Sequence, residues 1–129
     1  MKKIFSFLCA ALLMFHIYGC VGLWIGAGAV GGASAAVWAE GKLKHTLDVP
    51  LKEAFEATKV ALMDMDCTIT KSTVEEKVAQ IRGKYSDERE IWIDIHFISI
   101  KRSEIVIRVG VTGDADASRL ILDKVIALV

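Results

Sequence analysis

The chain has no excess charge of either sign, with 16 Lys and Arg residues against 16 Asp and Glu residues among its 129 residues. A general nucleic-acid-binding protein usually carries a basic face or stripe, so this balance gives no support for that class. Charge is also missing locally, because residues 4–39 contain no Lys, Arg, Asp or Glu. Charged residues become frequent from Glu40 onward. The sequence therefore divides near residue 40 into an apolar leader and one small soluble domain.

The sequence also lacks the short motifs that carry phosphate, nucleophile or metal chemistry. The glycines of GAGAVGG (26–32) are neither preceded by a clear strand nor followed by Lys and Ser or Thr, so they do not form a phosphate loop. A zinc site built from Cys67, His45, His96 and an acid is conceivable, but no two of these residues have the short spacing of zinc motifs. We therefore expect no metal, no cofactor, no catalytic residue and no enzymatic activity.

Residues 1–19 are organised like a secretory signal peptide. Two lysines follow Met1, and residues 4–17 form an apolar stretch of suitable length. The next residues, IYGC (17–20), resemble the lipobox of bacterial lipoproteins, although Tyr18 stands where a small residue is usual. That resemblance implies cleavage before Cys20, which then carries a diacylglyceryl group and usually an N-acyl chain. Two or more acyl chains give stable membrane anchoring, so Cys20 is the predicted site of lipid attachment.

Alternatives to this leader stay open. The uncharged run 4–39 is long enough to span a bilayer, which needs about 20 apolar residues, and an ordinary cleaved signal is a further option. In the lipoprotein interpretation, residues 20–36 are the lipidated N-terminus and a Gly/Ala-rich tether, or else a helix packing through its GxxxG spacings. The protein is then expected in the cell envelope. Val21 after the cysteine, rather than Asp, favours the outer membrane facing the periplasm if the host has two membranes.

Residues 37–129 predict an α+β domain with the order β-α-β-β-β-β-α. The predicted strands lie at 37–48, 67–73, 78–85, 90–100 and 104–112. One predicted helix follows Pro50, and the other lies at 115–129, capped by Asp114. Successive antiparallel strands with two helices indicate a two-layer domain. We expect an antiparallel sheet of about five strands with both helices on one face.

The last two strands show the clearest alternation. Ile91, Ile93, Ile95 and Phe97 share one face, as do Ile105, Ile107, Val109 and Val111. Facing residues of an antiparallel pair point the same way, so we expect Phe97 opposite Ile107 and Ile95 opposite Val109. The other face then sets His96 opposite Arg108 and Trp92 opposite Thr112. In the closing helix the predicted inward residues are Leu120, Ile121, Val125 and Leu128.

Several motifs along the chain resemble a family of small bacterial envelope lipoproteins of unknown function. Besides the lipobox and the Gly/Ala-rich segment, these are GKL at 41–43, AL at 61–62, IVIRVG at 105–110, GD at 113–114 and SR at 118–119. The C-terminal motif IxIRVGxxGD…SR is the most specific of them. The resemblance implies a lipid-anchored envelope protein with an α+β domain, and it implies no known activity.

Cys67 is alone once Cys9 leaves with the leader and Cys20 is acylated, so an intramolecular disulfide is excluded. Cys67 shares a strand face with Ile69, which favours a small buried hydrophobic residue. A nucleophile activated by a histidine and an intermolecular disulfide are the alternatives.

The outer face of the predicted sheet is more apolar than solvation requires. It combines Trp92, Ile98, Ile100 and Val106 with Asp94, His96 and Arg108. An incidental patch, or cover by the N-terminal strand or tether, is the plainer interpretation. The alternative is a surface for a partner, with Trp92, Asp94, His96 and Arg108 as candidate residues. The predicted function is thus a non-catalytic binding or structural module. Its partners are the membrane, through acylated Cys20, and an envelope protein, with no nucleic acid. A small-molecule or ion-binding accessory lipoprotein, using this face or a groove between helices and sheet, is the alternative, and an enzyme is the third option.

Overall fold

The computed structural model describes residues 36–129, which fold as an α+β unit. Its elements are β1 (Val37–Ala39), β2 (Lys42–Leu47), α1 (Leu51–Asp64), β3 (Thr68–Val74), β4 (Val78–Lys84), β5 (Glu90–Ser99), β6 (Arg102–Val109) and α2 (Ala115–Ile126). The six strands of these residues form one antiparallel sheet in the order β1-β2-β6-β5-β4-β3. The predicted fold class and the order of helices and strands are confirmed, with one strand more than the five expected.

The additional strand arises because the stretch predicted as a single strand over 37–48 is a hairpin. Glu40 and Gly41 have φ values of 54° and 74°, and the chain turns back so that Val37 faces Lys44. Positive φ at both central residues is the requirement of a type I′ hairpin turn, for which Asn-Gly or Asp-Gly is the usual signal. Glu is an uncommon residue there, so the alternating pattern runs through the turn without a sequence signal.

One face of the sheet carries the hydrophobic core. Every second residue of strands β2 and β4–β6 points to this face, and the large apolar ones among them are Leu43, Leu47, Ile81, Ile91, Ile93, Ile95, Ile105, Ile107 and Val109, each at most 3% exposed. Helix α1 packs against β3–β6, α2 packs against β6 and β2, and the two helices contact each other. Both helices therefore lie on the same face, which makes the unit a two-layer structure.

Helix α1 buries one stripe with helical spacing. Its buried residues are Leu51, Ala54, Phe55, Ala57, Thr58, Ala61 and Leu62. The one hydroxyl in the stripe is satisfied, because Thr58 Oγ1 donates a hydrogen bond of 2.7 Å to the carbonyl of Ala54. The helix ends at Asp64, and Asp66 has a φ of 57°, which redirects the chain into β3. The predicted helix and its apolar face are confirmed.

Helix α2 confirms two of the four residues predicted to face inward, Ile121 and Val125, and contradicts the other two. Its buried residues are Ala117, Ser118, Ile121, Leu122 and Val125. Leu120 and Leu128 are 57% and 43% exposed, so their predicted inward orientation is wrong. At about 100° per residue, Leu120 lies about 200° around the helix from Ser118 and Leu122, on the opposite side. Leu128 lies beyond the last helical residue. Asp114 caps the helix as predicted, since its side chain accepts from the backbone N–H of Ala117 at 3.0 Å.

The register of β5 and β6 also differs from the prediction. Ile95 faces Ile105, and Trp92 faces Arg108 rather than Thr112. The strands continue to a tight turn at residues 100–101, with an irregularity in the pairing between Phe97 and Ser99, so each predicted partner is displaced by four residues. An even displacement leaves the faces unchanged. The last residue of each alternating series, Phe97 and Val111, was predicted to share the buried face, but Phe97 is 41% exposed and Val111 is 77% exposed.

Candidate binding surface

The sheet face opposite the helices is left uncovered by the elements of residues 36–129. We call it the open face; it consists of the strand residues that alternate with the buried ones. Trp92, Asp94 and His96 occupy alternate positions of β5, and Arg108 lies on the adjacent β6. The structure thus places the four predicted surface residues on one face. Trp92, Asp94 and Arg108 are half-buried and His96 is exposed.

Trp92 lies at the centre of a row of side chains that crosses the sheet. Its direct neighbours are Arg108 on β6 and Arg82 on β4, and Arg82 faces Lys71 on edge strand β3. The guanidinium carbon of Arg108 stands 5.5 Å from the Trp92 ring centroid, which is a cation–π distance. Arg108 Nε also donates to the carbonyl of Gly110 at 3.3 Å. The indole therefore packs against the Arg108 guanidinium, and Arg82 is its neighbour on β4.

Asp94 is engaged by Arg82. Arg82 Nη1 donates to Asp94 Oδ1 at 2.9 Å, to the carbonyl of Ile93 at 3.1 Å and to the carbonyl of Ile81 at 3.0 Å. The two side chains are 28% and 33% exposed. The charge of Asp94 is thus offset locally, and the pair stiffens the open face beside Trp92.

His96 is separated from Arg108, contrary to the predicted pairing. It faces Glu104 on β6 and Val78 on β4, whereas Arg108 faces Trp92. Four residues along a strand correspond to about 13 Å, so His96 and Arg108 do not form a joint site. The apolar members of the predicted patch are dispersed as well: Val106 is half-buried on the open face, and Ile98 and Ile100, 49% and 78% exposed, lie at the end of β5.

A concave surface lies at that end of the sheet. It is a cleft of about 560 Å³ between the start of α1 and the turns that join β3 to β4 and β5 to β6. Its apolar lining consists of Pro50, Leu51, Val74, Phe97 and Ile100, with Lys52, Glu75 and Glu76 supplying charge. The first turn of α1 receives no hydrogen bond from a capping side chain, so backbone N–H groups that a cap would satisfy face this region.

The cleft was missed in the sequence because it is assembled from three separate segments. The predicted register set Phe97 opposite Ile107 in the core, whereas the structure sets it opposite Ser103 at the end of the ladder. The signal that could have found the cleft is the cluster of apolar residues FISI (97–100) immediately before a turn. The tip of a turn is usually polar, so apolar residues at this position indicate a surface that binds another molecule.

Cys67 and His45 are buried in the core rather than grouped at a site. Burial raises the pKa of the Cys67 thiol, as do the nearby carboxylates of Asp66 and Asp87, and its Sγ donates to the carbonyl of Met65 at 3.7 Å. A raised pKa keeps the thiol protonated and opposes a nucleophilic role. The predicted burial of Cys67 is confirmed. His45 is 8% exposed, and burial lowers its pKa despite the opposing effect of Asp48.

Asp87 in the β4–β5 turn and Asp114 at the start of α2 are both paired with Arg89. Arg89 donates to both Asp87 and Asp114, and it stacks over Tyr85 at 5.3 Å from the ring centroid. The pKa of the Asp114 carboxyl is lowered by the hydrogen bond from the Ala117 N–H and by Arg89. The hydrogen bonds that cap the helix thus favour the ionised form of Asp114.

Residues 36–129 contain no group of three or more His, Cys, Asp and Glu side chains positioned to hold a metal ion. Among the same residues, no helix has the length and apolarity needed to traverse a bilayer. Cys20, the predicted site of lipid attachment, and the predicted signal peptide lie outside the described residues.

Comparison with known proteins identifies a family for the chain. The sequence profile of a family described as "Protein of unknown function (DUF3568)" matches residues 3–127, so the chain belongs to that family. No curated protein matches the chain. The match confirms the expectation of a family without an established activity, while the lipobox and its consequences stay predictions.

Proposed function

We propose that this member of the DUF3568 family is a non-catalytic binding module of the cell envelope, anchored by lipid on Cys20, with its open face as the binding surface. The observation that carries the proposal is the arrangement around Trp92. An indole flanked by Arg108 and Arg82 lies half-exposed on a sheet face that no element of residues 36–129 covers. Trp and Arg are the residue types that most often dominate binding surfaces.

The side-chain chemistry around Trp92 supports binding rather than catalysis. Acid–base catalysis needs titratable groups that converge within hydrogen-bonding reach of a substrate. Here Asp94 is paired with Arg82 at 2.9 Å, and His96 faces Glu104 on a different row. In the row of Trp92 the accessible groups are the aromatic ring and cations, which can recognise a surface without reacting with it.

Lipid attachment is supported by the sequence alone, through the apolar stretch 4–17 and the IYGC segment ending at Cys20. We expect metabolic labelling with a fatty acid to mark the wild-type protein and the Cys9→Ser variant equally. Labelling should be lost in Cys20→Ser. Wild-type protein that carries no acyl label would contradict the anchoring proposal; membrane retention is not a sufficient readout, because an uncleaved precursor also stays in the membrane.

The binding role of the open face is tested by Trp92→Asp. We expect this variant to lose the molecules, protein or lipid, that crosslink to the wild-type chain in intact cells, because a charge replaces the central contact. Leu120→Asp is the matched control, since Leu120 is 57% exposed on α2, in the other layer. Both variants must keep the wild-type thermal unfolding profile. If folded Trp92→Asp retains every crosslinked molecule, the open face is not the binding surface.

A second candidate function, binding of a small apolar molecule, is favoured by the cleft beside α1. Its volume of about 560 Å³ lies within the range of small-molecule pockets, and Phe97 exposes 41% of its surface there. Native mass spectrometry of protein purified in mild detergent should then detect a bound molecule that is lost in Val74→Asp and retained in Leu120→Asp. Identical spectra for both variants would reject this candidate.

A further inference from the structure

The open face of the sheet carries a net positive charge, although the chain as a whole is neutral. The open face carries seven cationic side chains, namely Lys42, Lys44, Lys71, Arg82, Lys84, Arg102 and Arg108, and three anionic ones, Glu90, Asp94 and Glu104. The other described residues have thirteen acidic and seven basic side chains. The open face therefore has a net charge of +4, while the helices, turns and loops together have −6.

The cations that remain unneutralised cluster around Trp92. Arg82, Lys84 and Arg102 form ion pairs with Asp94, Glu88 and Asp48. Among the ion pairs of residues 36–129 none involves the other four, which are Lys42, Lys44, Lys71 and Arg108. They extend from β2 across β6 to edge strand β3, a distance of about 19 Å at the usual strand spacing.

The composition of this surface matches a membrane interface. Tryptophan concentrates where apolar and aqueous phases meet, and Lys and Arg can lay their aliphatic stems on an apolar surface while the charge reaches a phosphate. Val106 adds apolar area in the next row, between Lys44 and Asp94. An acidic protein partner would also account for the cations and the indole, so the choice of occupant depends on how the domain is held near the membrane.

The position of the preceding chain points to the same occupant. Residues 4–39 carry no charge, and this segment enters the sheet through β1, where Val37 is on the open face and 58% exposed. For the predicted tether of residues 20–36, the random-coil relation gives an end-to-end distance of about 20–25 Å. A domain held that close to a surface samples it continually, so electrostatic attraction of short range is sufficient to orient it.

We propose that the open face binds the anionic headgroups of the phospholipid membrane that anchors the chain, with Lys42, Lys44, Lys71 and Arg108 contacting phosphates and Trp92 at the interface. The inference rests on the proposed function in that it takes the chain to be held at a membrane. The two helices carry a net charge of only −1, so the helical layer offers no comparable attraction to an anionic surface. Binding thus fixes which side of the domain faces the aqueous compartment.

The test follows Trp92 in the full chain. Replacing Trp24 and Trp38 with Phe leaves it as the sole tryptophan, since the chain has three. The protein is purified from membranes and reconstituted into vesicles of phosphatidylcholine alone or with phosphatidylglycerol, each containing a lipid spin-labelled at its headgroup. We expect the spin label to quench Trp92 fluorescence about twofold more strongly in the anionic vesicles than in phosphatidylcholine alone. This additional quenching should vanish at 1 M salt, where the screening length is about 3 Å.

Charge reversal identifies the surface responsible. Lys44→Glu with Lys71→Glu should abolish the excess quenching, whereas Lys59→Glu with Arg119→Glu, which changes the net charge equally but on the helices, should retain it. Equal quenching in both vesicle types, or equal effects of the two double variants, would overturn the inference. An acidic protein as the true partner predicts the first of these results.

Flotation of the same samples separates this inference from the anchoring proposal. A chain that floats with both vesicle types but shows no charge-dependent quenching retains its anchor and refutes the orientation. A chain that floats only with anionic vesicles refutes the anchor and supports headgroup binding by the open face. A chain that floats with neither refutes both.

Discussion

Replacing Gly113 with Ala should destabilise the fold more than any other Gly→Ala change at the end of β6. Gly113 has a φ of 83°, and a Cβ placed there would lie 2.6 Å from the Cα of Gly41, in direct conflict with the backbone of the β1–β2 turn. A left-handed conformation costs an L-residue about 1–2 kcal/mol. Displacing the turn adds about 1–3 kcal/mol, the usual cost of overpacking. The expected loss is therefore about 2–5 kcal/mol, against a typical domain stability of about 5–15 kcal/mol.

Gly110→Ala is the matched control for this prediction. Gly110 has a φ of 75°, close to that of Gly113, but the nearest atom to its added Cβ is the Cδ of Arg89 at 3.8 Å, an ordinary contact. It should lose only the conformational cost of about 1–2 kcal/mol. Urea unfolding of the full chain measures both variants, and an unchanged m value shows that the midpoint shift reports stability. Equal losses for the two variants would show that the contact between Gly113 and Gly41 contributes nothing, and the reasoning would fail.

Two further predictions concern the core. Burial lowers the pKa of His45 below its usual value of about 6.5, so the unfolded state takes up the proton first as the pH falls, and the free energy of unfolding should decline below about pH 6.5. In His45→Leu the urea midpoint should therefore change less between pH 7.5 and 5.5 than in the wild type. A pH dependence equal to that of the wild type would contradict this. Ile93 is fully buried, so Ile93→Ala should lower the free energy of unfolding, measured with urea, by about 2–5 kcal/mol. Ile100 is 78% exposed, so Ile100→Ala should lower it by less than about 0.5 kcal/mol. Similar losses for the two variants would show that Ile93 is not part of the core.

The alternation of apolar residues was sufficient to predict which faces of the strands are buried. Ile91, Ile93 and Ile95 point inward as expected, and so do Ile105 and Ile107. The same alternation could not determine the register, because displacing one strand by an even number of residues leaves every side chain on its face. The register depends on the turn at residues 100–101, whose isoleucine gives no turn signal in the sequence.

The candidate surface could be predicted only in part for a related reason. Trp92, Asp94 and His96 share a face because they are two residues apart on one strand, which is local information. Their neighbours depend on the order of strands in the sheet, which places Arg82 beside Trp92 and Lys71 beside Arg82. The cluster of free cations and the cleft beside α1 both arise from segments that are distant in the sequence, so neither could be found without the topology.

The order of the strands also has a consequence for the folding of the chain. Strands β3–β6 are neighbours in both sequence and space, so they can pair through short loops, whereas β2 pairs with β6, for example through Leu43 and Ile107. Closing that long loop carries the largest entropic cost among the strand pairings and slows folding relative to local contacts. Strand β2, and β1 with it, therefore has no docking site until β6 has been synthesised and aligned. A chain truncated before β6 therefore lacks β6 and α2 and also leaves β1 and β2 without a strand to pair with.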